Sequence, residues 1–371
     1  MKEVCRIGLD IAKLNFQVHG VDQYAKDVFN KKLKRNQVLP FFANLPACLI
    51  GIEACAGAHY WAREIEGLGV GHTVRLISPR HVKPFVINNK TDAADARAIC
   101  EVVGRPSTRF VNVKTVEQQD ISAWHRIREL AVKERTAVVN QTRALLGEQG
   151  IIIPQGIAHV RHSLPVIIED LENKLSLSAR DYMSKLYNKI VGYDEEIDDY
   201  TSRIMAYAKS NEACQRILQI PGVGPVTATA IIAHVGDAKQ FKNGRAFAAC
   251  LGLTPREHSS GGKQKLLGIT KRGNDYIRCL LIQGARVALR YGLVKAEAEQ
   301  ISEEQVAVLQ ASEDPAVTGK ALTEAIPRLK WMQNLTARRG KHIAAVALAN
   351  KTARIIWAML SSGETYNPAT A

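Results

Sequence analysis

Arg6-Ile7-Gly8-Leu9-Asp10 is a short apolar run that ends on a carboxylate, and Cys48-Leu49-Ile50-Gly51-Ile52-Glu53 repeats the design. Continuous apolar runs of this length, bounded by turn-forming residues, read as strands buried on both faces. Working outward, Asn15 to Gly20 reads as the hairpin partner of the first strand, and Asp27 to Leu33 as a third strand completing a meander. A helical pattern follows from Ala58 to Gly67, then a strand from Thr73 to Ile77, then a helix that Thr91 is placed to cap. This βββαβα-like order with short connections predicts an α/β domain, a mixed sheet flanked by helices, over residues 1–112.

Four acids in that domain stand out. Asp10 and Glu53 close their strands, and Asp92 and Asp95, three apart, share one helical face. Each alone has a plain structural reading, since a strand-end Asp forms turns and acids in a first helical turn complement the helix dipole. Between residues 70 and 97, however, Asp92 and Asp95 are the only acids, set among Arg75, Arg80, Lys83, Lys90 and Arg97. Converging carboxylates repel unless a hard cation neutralises them, and oxygen-only donors suit Mg²⁺ or Mn²⁺. Such ions can stabilise the attacking and leaving oxygens of a phosphoryl transfer.

The whole chain is basic, with 50 Lys and Arg against 36 Asp and Glu in 371 residues, a net charge of +14. That surplus points to a polyanion, with nucleic acid favoured because bound cations release counterions from phosphates. At 46% apolar and 23% charged residues, the composition is that of a globular protein. The reading expects no membrane span, no signal segment and a cytoplasmic location. The cysteines, seven and without CxxC spacing, sit mostly among apolar neighbours, which argues for a reducing compartment and no zinc site.

Residues 113–208 read as helical. Leu186, Ile190, Tyr193, Ile197, Tyr200 and Ile204 step at coiled-coil spacing, with Ile121, Trp124, Ile127 and Leu130 as a facing stripe. Gly150 to Pro165 breaks the pattern. Bundle core helices and a protruding coiled coil both fit.

Residues 209–371 read as mainly helical, punctuated by glycine and basic, with an Ala/Glu-rich excursion at 295–327. Ile220-Pro221-Gly222-Val223-Gly224-Pro225 predicts a helix-hairpin-helix in which the Gly222 and Gly224 turn could approach a phosphate; a plain turn between helices fits the same residues. Downstream, Ser259 and Ser260 precede Gly261-Gly262 on a loop among Arg256, Lys263, Lys271, Arg272 and Arg278, and Arg338, Arg339 and Lys341 form a further basic cluster. By composition the loop is a polar turn. As a site it would offer a hydroxyl that needs a base or metal for attack, with cations to hold the phosphate.

GLDIAK, GIEACAG and NNKTDAADARAI resemble the motifs of the DEDD transposases of insertion sequences, whose first domain is RuvC-like. PGVGPVTA, GLTPREHSSGGK and ITKRGN are similar to their serine-bearing second domain, that of the bridge-RNA-guided recombinases. The resemblance implies that Asp10, Glu53, Asp92 and Asp95 bind the metal and that Ser260 is the nucleophile, with Ser259 one alignment step away. It also implies a phosphoserine–DNA intermediate, an element-encoded guide RNA, DNA at element ends and target, a homo-oligomer that is a dimer of dimers, and a nucleoid-associated place in a bacterial cytoplasm. Glu257 and His258 receive no role from it. The residues themselves leave open a junction-resolving nuclease that uses metal-activated water, and a non-catalytic DNA-binding scaffold. A third alternative, an actin-like sugar kinase suggested by GLDIAK, lacks a second phosphate loop.

Overall fold

The computed structural model describes residues 3–87, 89, 91–291 and 327–367. The chain divides into two compact units, Met1–Glu117 and Gln118–Ala371, so that the helices between 118 and 208 share a unit with those that follow. The excursion at 295–327 lies outside the described residues apart from its last position.

The first unit contains β1 (Arg6–Ile11), β2 (Asn15–Val21), β3 (Asp27–Lys34), α1 (Val38–Ala43), β4 (Leu49–Glu53), α2 (Ala58–Glu66), β5 (Thr73–Ile77), α3 (Pro79–Val82), α4 (Asp92–Val103) and β6 (Phe110–Val111). The strands form one mixed sheet in the order β3-β2-β1-β4-β5-β6. β1 runs parallel to β4 and antiparallel to β2, and β5 continues parallel to β4. Alternation along the central strands sends Ile7, Leu9, Ile50 and Ile52 into a core with Phe16, Trp61, Ala62 and Ile65. Gly8 and Gly51 point the other way, under α4. A Cβ on Gly8 would stand 2.0 Å from the Ala96 carbonyl, and one on Gly51 2.8 Å from Val103 Cβ. Glycine lets the helix lie directly on the sheet, which is why both central strands read as uninterrupted apolar runs.

The second unit takes in most of α5 (Val116–Glu148), then α6 (Ile157–Glu169), α7 (Leu177–Ser210), α8 (Glu212–Leu218), α9 (Pro225–Val235), α10 (Gly244–Cys250), the hairpin β7 (Pro255–Glu257) and β8 (Leu266–Ile269), α11 (Asp275–Tyr291), α12 (Pro327–Arg339) and α13 (Lys341–Ser362). On α7, Leu186, Ile190, Ile197 and Ile204 of the expected seam are buried. The expected stripe on α5 needs correction: Ile121 is buried as expected, but Ile127 and Leu130 are exposed, and His125 and Ala131 are buried in their place. The inward face there is partly polar. Arg128 donates to Thr201 (2.7 Å), and Asp194 on α7 receives both Arg135 and Arg161. Burial opposes ionisation of Asp194, but the two guanidinium groups together hold its carboxyl below the usual range. The break in helical pattern is also shorter than expected, because α6 starts at Ile157 and carries Pro165 within it.

His125 bridges Tyr276 (3.0 Å) and Thr229 (2.9 Å), tying α5 to α11 and α9. Burial, and after it the charge of Arg128, push its pKa down to about 4. An unfolded histidine near 6.5 takes up a proton that the folded one refuses, so this contribution to stability is complete above about pH 6.5 and is lost as pH falls towards about 4. Denaturant unfolding between those pH values should show a loss of about 3 kcal/mol that His125→Gln removes.

Among the described helices, only α13 is long and apolar enough to cross a membrane, with a mean hydropathy of 1.4. Ala344, Ala345, Leu348, Ala349, Ala353 and Ile356 place it in the core of its unit.

Candidate active site

Leu9 and Ile52 are register partners, so the next residues, Asp10 and Glu53, leave adjacent parallel strands side by side. Their parity is that of Gly8 and Gly51, which turns both towards α4. That helix runs antiparallel to β1, since Gly104 lies against Arg6, and Ala96 and Cys100 lie against Gly8. Two further strand residues advance about 7 Å and four helical residues about 6 Å, which brings Asp10 level with the first turn of α4. Asp92 and Asp95 are in that turn, and the Thr91 hydroxyl caps it by accepting from the Ala94 N–H at 3.2 Å. Asp10, Glu53 and Asp95 are half-buried and Asp92 is exposed. Nearby, burial and then the charges of Glu53 and Asp10 push the Cys55 thiol up. Asp10 and Glu53 therefore stand at the same end of the sheet as the first turn of α4.

Among the described residues, no group of three or more His, Cys, Asp or Glu side chains is disposed to hold a metal ion as it stands. The donor chemistry still fits Mg²⁺. That ion usually takes one or two carboxylates and fills the rest of its octahedron with water and substrate phosphate.

In the second unit, the two candidate serines sit on a β-hairpin with unequal surroundings. Ser259 donates to Glu257 Oε1 (2.6 Å) and accepts from the Lys265 N–H (3.3 Å), crossing the hairpin. Ser260 starts the reversal. Its carbonyl accepts from the Lys263 N–H at 3.1 Å, and Gly261 and Gly262 between them both have positive φ (56° and 76°). A type I′ turn demands that conformation, and glycine adopts it without strain. Ser260 is exposed, and no hydrogen bond holds its hydroxyl among the described residues. The base of the hairpin is anchored: Leu251 and Leu253 are buried, and their carbonyls accept from Arg278 (3.0 Å) and Asn350 (3.1 Å).

Two sequence profiles match this chain. A DEDD transposase profile of the IS110 type, described as "Transposase", covers residues 7–150, and the "Transposase IS116/IS110/IS902 family" covers 214–300. The "Probable family 20 transposase" of Pseudomonas aeruginosa is 43% identical over 364 residues, 98% of each chain. The chain belongs to the IS110/IS116/IS902 family of DEDD transposases. It is also similar to the "Transposase for insertion sequence element IS1111A" of Coxiella burnetii, at 42% identity over 99% of this chain and 92% of the other. The "Transposase for insertion sequence element IS1328" of Yersinia enterocolitica is 35% identical over 99% of this chain and all of its own length. As a member of that family, the transposase catalyses DNA cleavage and strand transfer. The first match takes in all four acids and the second takes in both serines.

The transposase places its expected nucleic-acid contacts unevenly. Arg256, Lys263, Lys271 and Arg272 are exposed on or beside the serine hairpin, and Arg338, Arg339 and Lys341 are exposed at the corner between α12 and α13. Arg97 is exposed but paired with Asp27 at 2.9 Å. Lys90 lies outside the described residues. Arg278 is a correction: only 4% exposed, it is consumed inside the unit by Asp275 and by the Leu251 carbonyl, so it cannot reach a phosphate. Gly222 has a packing role, because its positive φ and missing Cβ admit the Gly284 carbonyl of α11, which a Cβ would approach to 2.5 Å. Gly224 is extended at the start of α9, with open space where its side chain would be. Sequence reading missed the tether from Glu257 to Ser259, although an acid two residues from a hydroxyl on a strand is close enough to suggest one.

Proposed function

We propose that the transposase cuts and rejoins DNA by transesterification through Ser260, with Mg²⁺ or Mn²⁺ held by Asp10, Glu53, Asp92 and Asp95. The observation that carries this reading is the contrast between two neighbouring hydroxyls, Ser259 bonded on both sides and Ser260 unheld at an exposed turn. Attack by Ser260 Oγ forms a serine–phosphate ester as the bond from phosphorus to the departing deoxyribose oxygen breaks. The serine gives up its proton and the departing oxygen takes one. A hydroxyl on the incoming strand then attacks phosphorus and regenerates the serine. One phosphoester replaces another at each step, so strand exchange needs no external energy source. The bound cation would offset charge developing on the attacking and leaving oxygens. Arg256, Lys263, Lys271 and Arg272 hold the backbone beside the serine.

In this reading, residues 1–112 act as a RuvC-like metal-dependent domain, 113–208 as a coiled-coil segment, and 209–371 as the serine-bearing domain, with a helix-hairpin-helix around Gly222 and Gly224. The resemblance of the motifs extends it to an element-encoded guide RNA. It also extends it to a dimer of dimers at the bacterial nucleoid, in which carboxylates and serine of different subunits meet on the DNA. Recombination between element ends and target, assayed with and without the element's own non-coding RNA, tests the guide. Product is expected only with the RNA, and equal yield without it removes the RNA from the mechanism.

A further inference from the structure

Two adjoining cavities open at the end of the sheet where Asp10 and Glu53 stand. One, of about 520 Å³, is lined by Ile11, Lys13 and Cys55, which closely follow those acids in the chain. The other, of about 710 Å³, shares Arg35, Tyr60 and Trp61 with the first and continues to Leu14 and Lys34. Lys13, Lys34 and Arg35 supply three positive charges, and no Asp or Glu lines either cavity. The floor is rigid. Trp61 is buried and packs edge-to-face on Phe16 (centroids 4.9 Å apart), and the Arg35 guanidinium lies 5.0 Å over the indole. Tyr60 packs against Trp61 at 5.2 Å yet remains 40% exposed.

A strip of cations with one exposed aromatic ring on a fixed base suits a single nucleic-acid strand. Phosphates follow the charges, and any base can stack on the ring whatever its identity. We infer that this groove binds the single DNA strand continuing from the scissile phosphate, with an unpaired base stacked on Tyr60. The assignment rests on the proposal that DNA is cut at the Asp10 and Glu53 edge, and that continuity makes DNA the occupant. A strand whose phosphate reaches those acids must continue past them, and the groove begins on the residues that follow them. Lys13 closes the GLDIAK motif, but Lys34, Arg35 and Tyr60 are too scattered in the chain to have marked a site together.

The test uses full-length Ser260→Ala protein in EDTA and a single-stranded oligonucleotide carrying 2-aminopurine at successive positions beside the cleavage point. One position should be quenched on binding. Tyr60→Ala should abolish the quenching and weaken binding of the single strand about tenfold, and Tyr60→Phe should preserve both. Lys13→Ala and Lys34→Ala should each lower the slope of log affinity against log salt by about 0.7. Unchanged binding and quenching in Tyr60→Ala, or an equal loss for the same sequence as duplex or RNA, overturns the inference. If no position is quenched while the enzyme with its native serine still cuts, the groove assignment alone falls. If it neither quenches nor cuts, the proposed cutting edge falls with it.

Discussion

Ser260→Ala should abolish the covalent protein–DNA adduct and lower strand transfer by at least about 10⁴-fold, whereas Ser259→Ala should retain both. The expectation follows from what each hydroxyl is doing. The Ser259 hydroxyl is a strut between Glu257 on one strand of the hairpin and the Lys265 N–H on the other. Its removal costs about 1 kcal/mol of hairpin order, which should slow the reaction by no more than about tenfold. Glu257→Gln should cost less than Ser259→Ala and stay near the unsubstituted protein, because the amide oxygen still accepts the hydroxyl proton. Ser260 makes no such link and stands at a turn whose two glycines leave its surroundings open. Trapping on nicked, labelled DNA followed by denaturing electrophoresis reads the adduct directly. An adduct that survives Ser260→Ala and vanishes in Ser259→Ala reverses the assignment. Cleaved DNA with no adduct from any variant favours metal-activated water, as in a junction-resolving nuclease.

The parts of this molecule that were legible in the sequence are those where burial follows a simple period. β1 and β4 are covered on both faces, so their apolar runs are continuous and end on the acids that the parallel register sets side by side. Thr91 announced the start of α4 because a capping hydroxyl has a positional meaning. The α5 stripe held at Ile121 and failed at Ile127 and Leu130 because the buried face includes His125, and hydrophobic spacing cannot register a polar residue satisfied by partners on other helices. Arg278 illustrates the same failure with charge. Counting cations treats every one as exposed, yet Asp275 one helical turn earlier marked it as a structural pair. β6, two residues long, has no period to read. Only half of the difference between the two serines was open to a sequence reading: Glu257 lies two residues from Ser259, but the Lys265 N–H that also holds its hydroxyl comes from across the hairpin.

Asp10→Asn and Glu53→Gln should each lower strand transfer by about 10³-fold or more and erase the Mg²⁺-dependent rise in thermal stability while preserving the fold. Each substitution keeps the size and planar shape of the side chain and removes one negative charge, so the sheet edge is unaltered in form. What changes is the balance with a divalent cation, for which a neutral amide is a much weaker donor than a carboxylate. A cation at a hundred times its dissociation constant stabilises the state that binds it by about 2.7 kcal/mol, enough to read as a shift in unfolding temperature. Wild-type protein should show that shift with Mg²⁺ or Mn²⁺ and lose it with chelator, whereas the variants should melt alike in both. Asp92→Asn, on the exposed acid at the helix start, should lose less of the shift than Asp10→Asn, because a half-buried carboxylate competes with fewer waters for the ion. Variants that transfer strands at the wild-type rate, with the cation shift intact, would leave these acids as turn formers and helix caps and oblige the hydroxyl at the hairpin tip to find another source of activation.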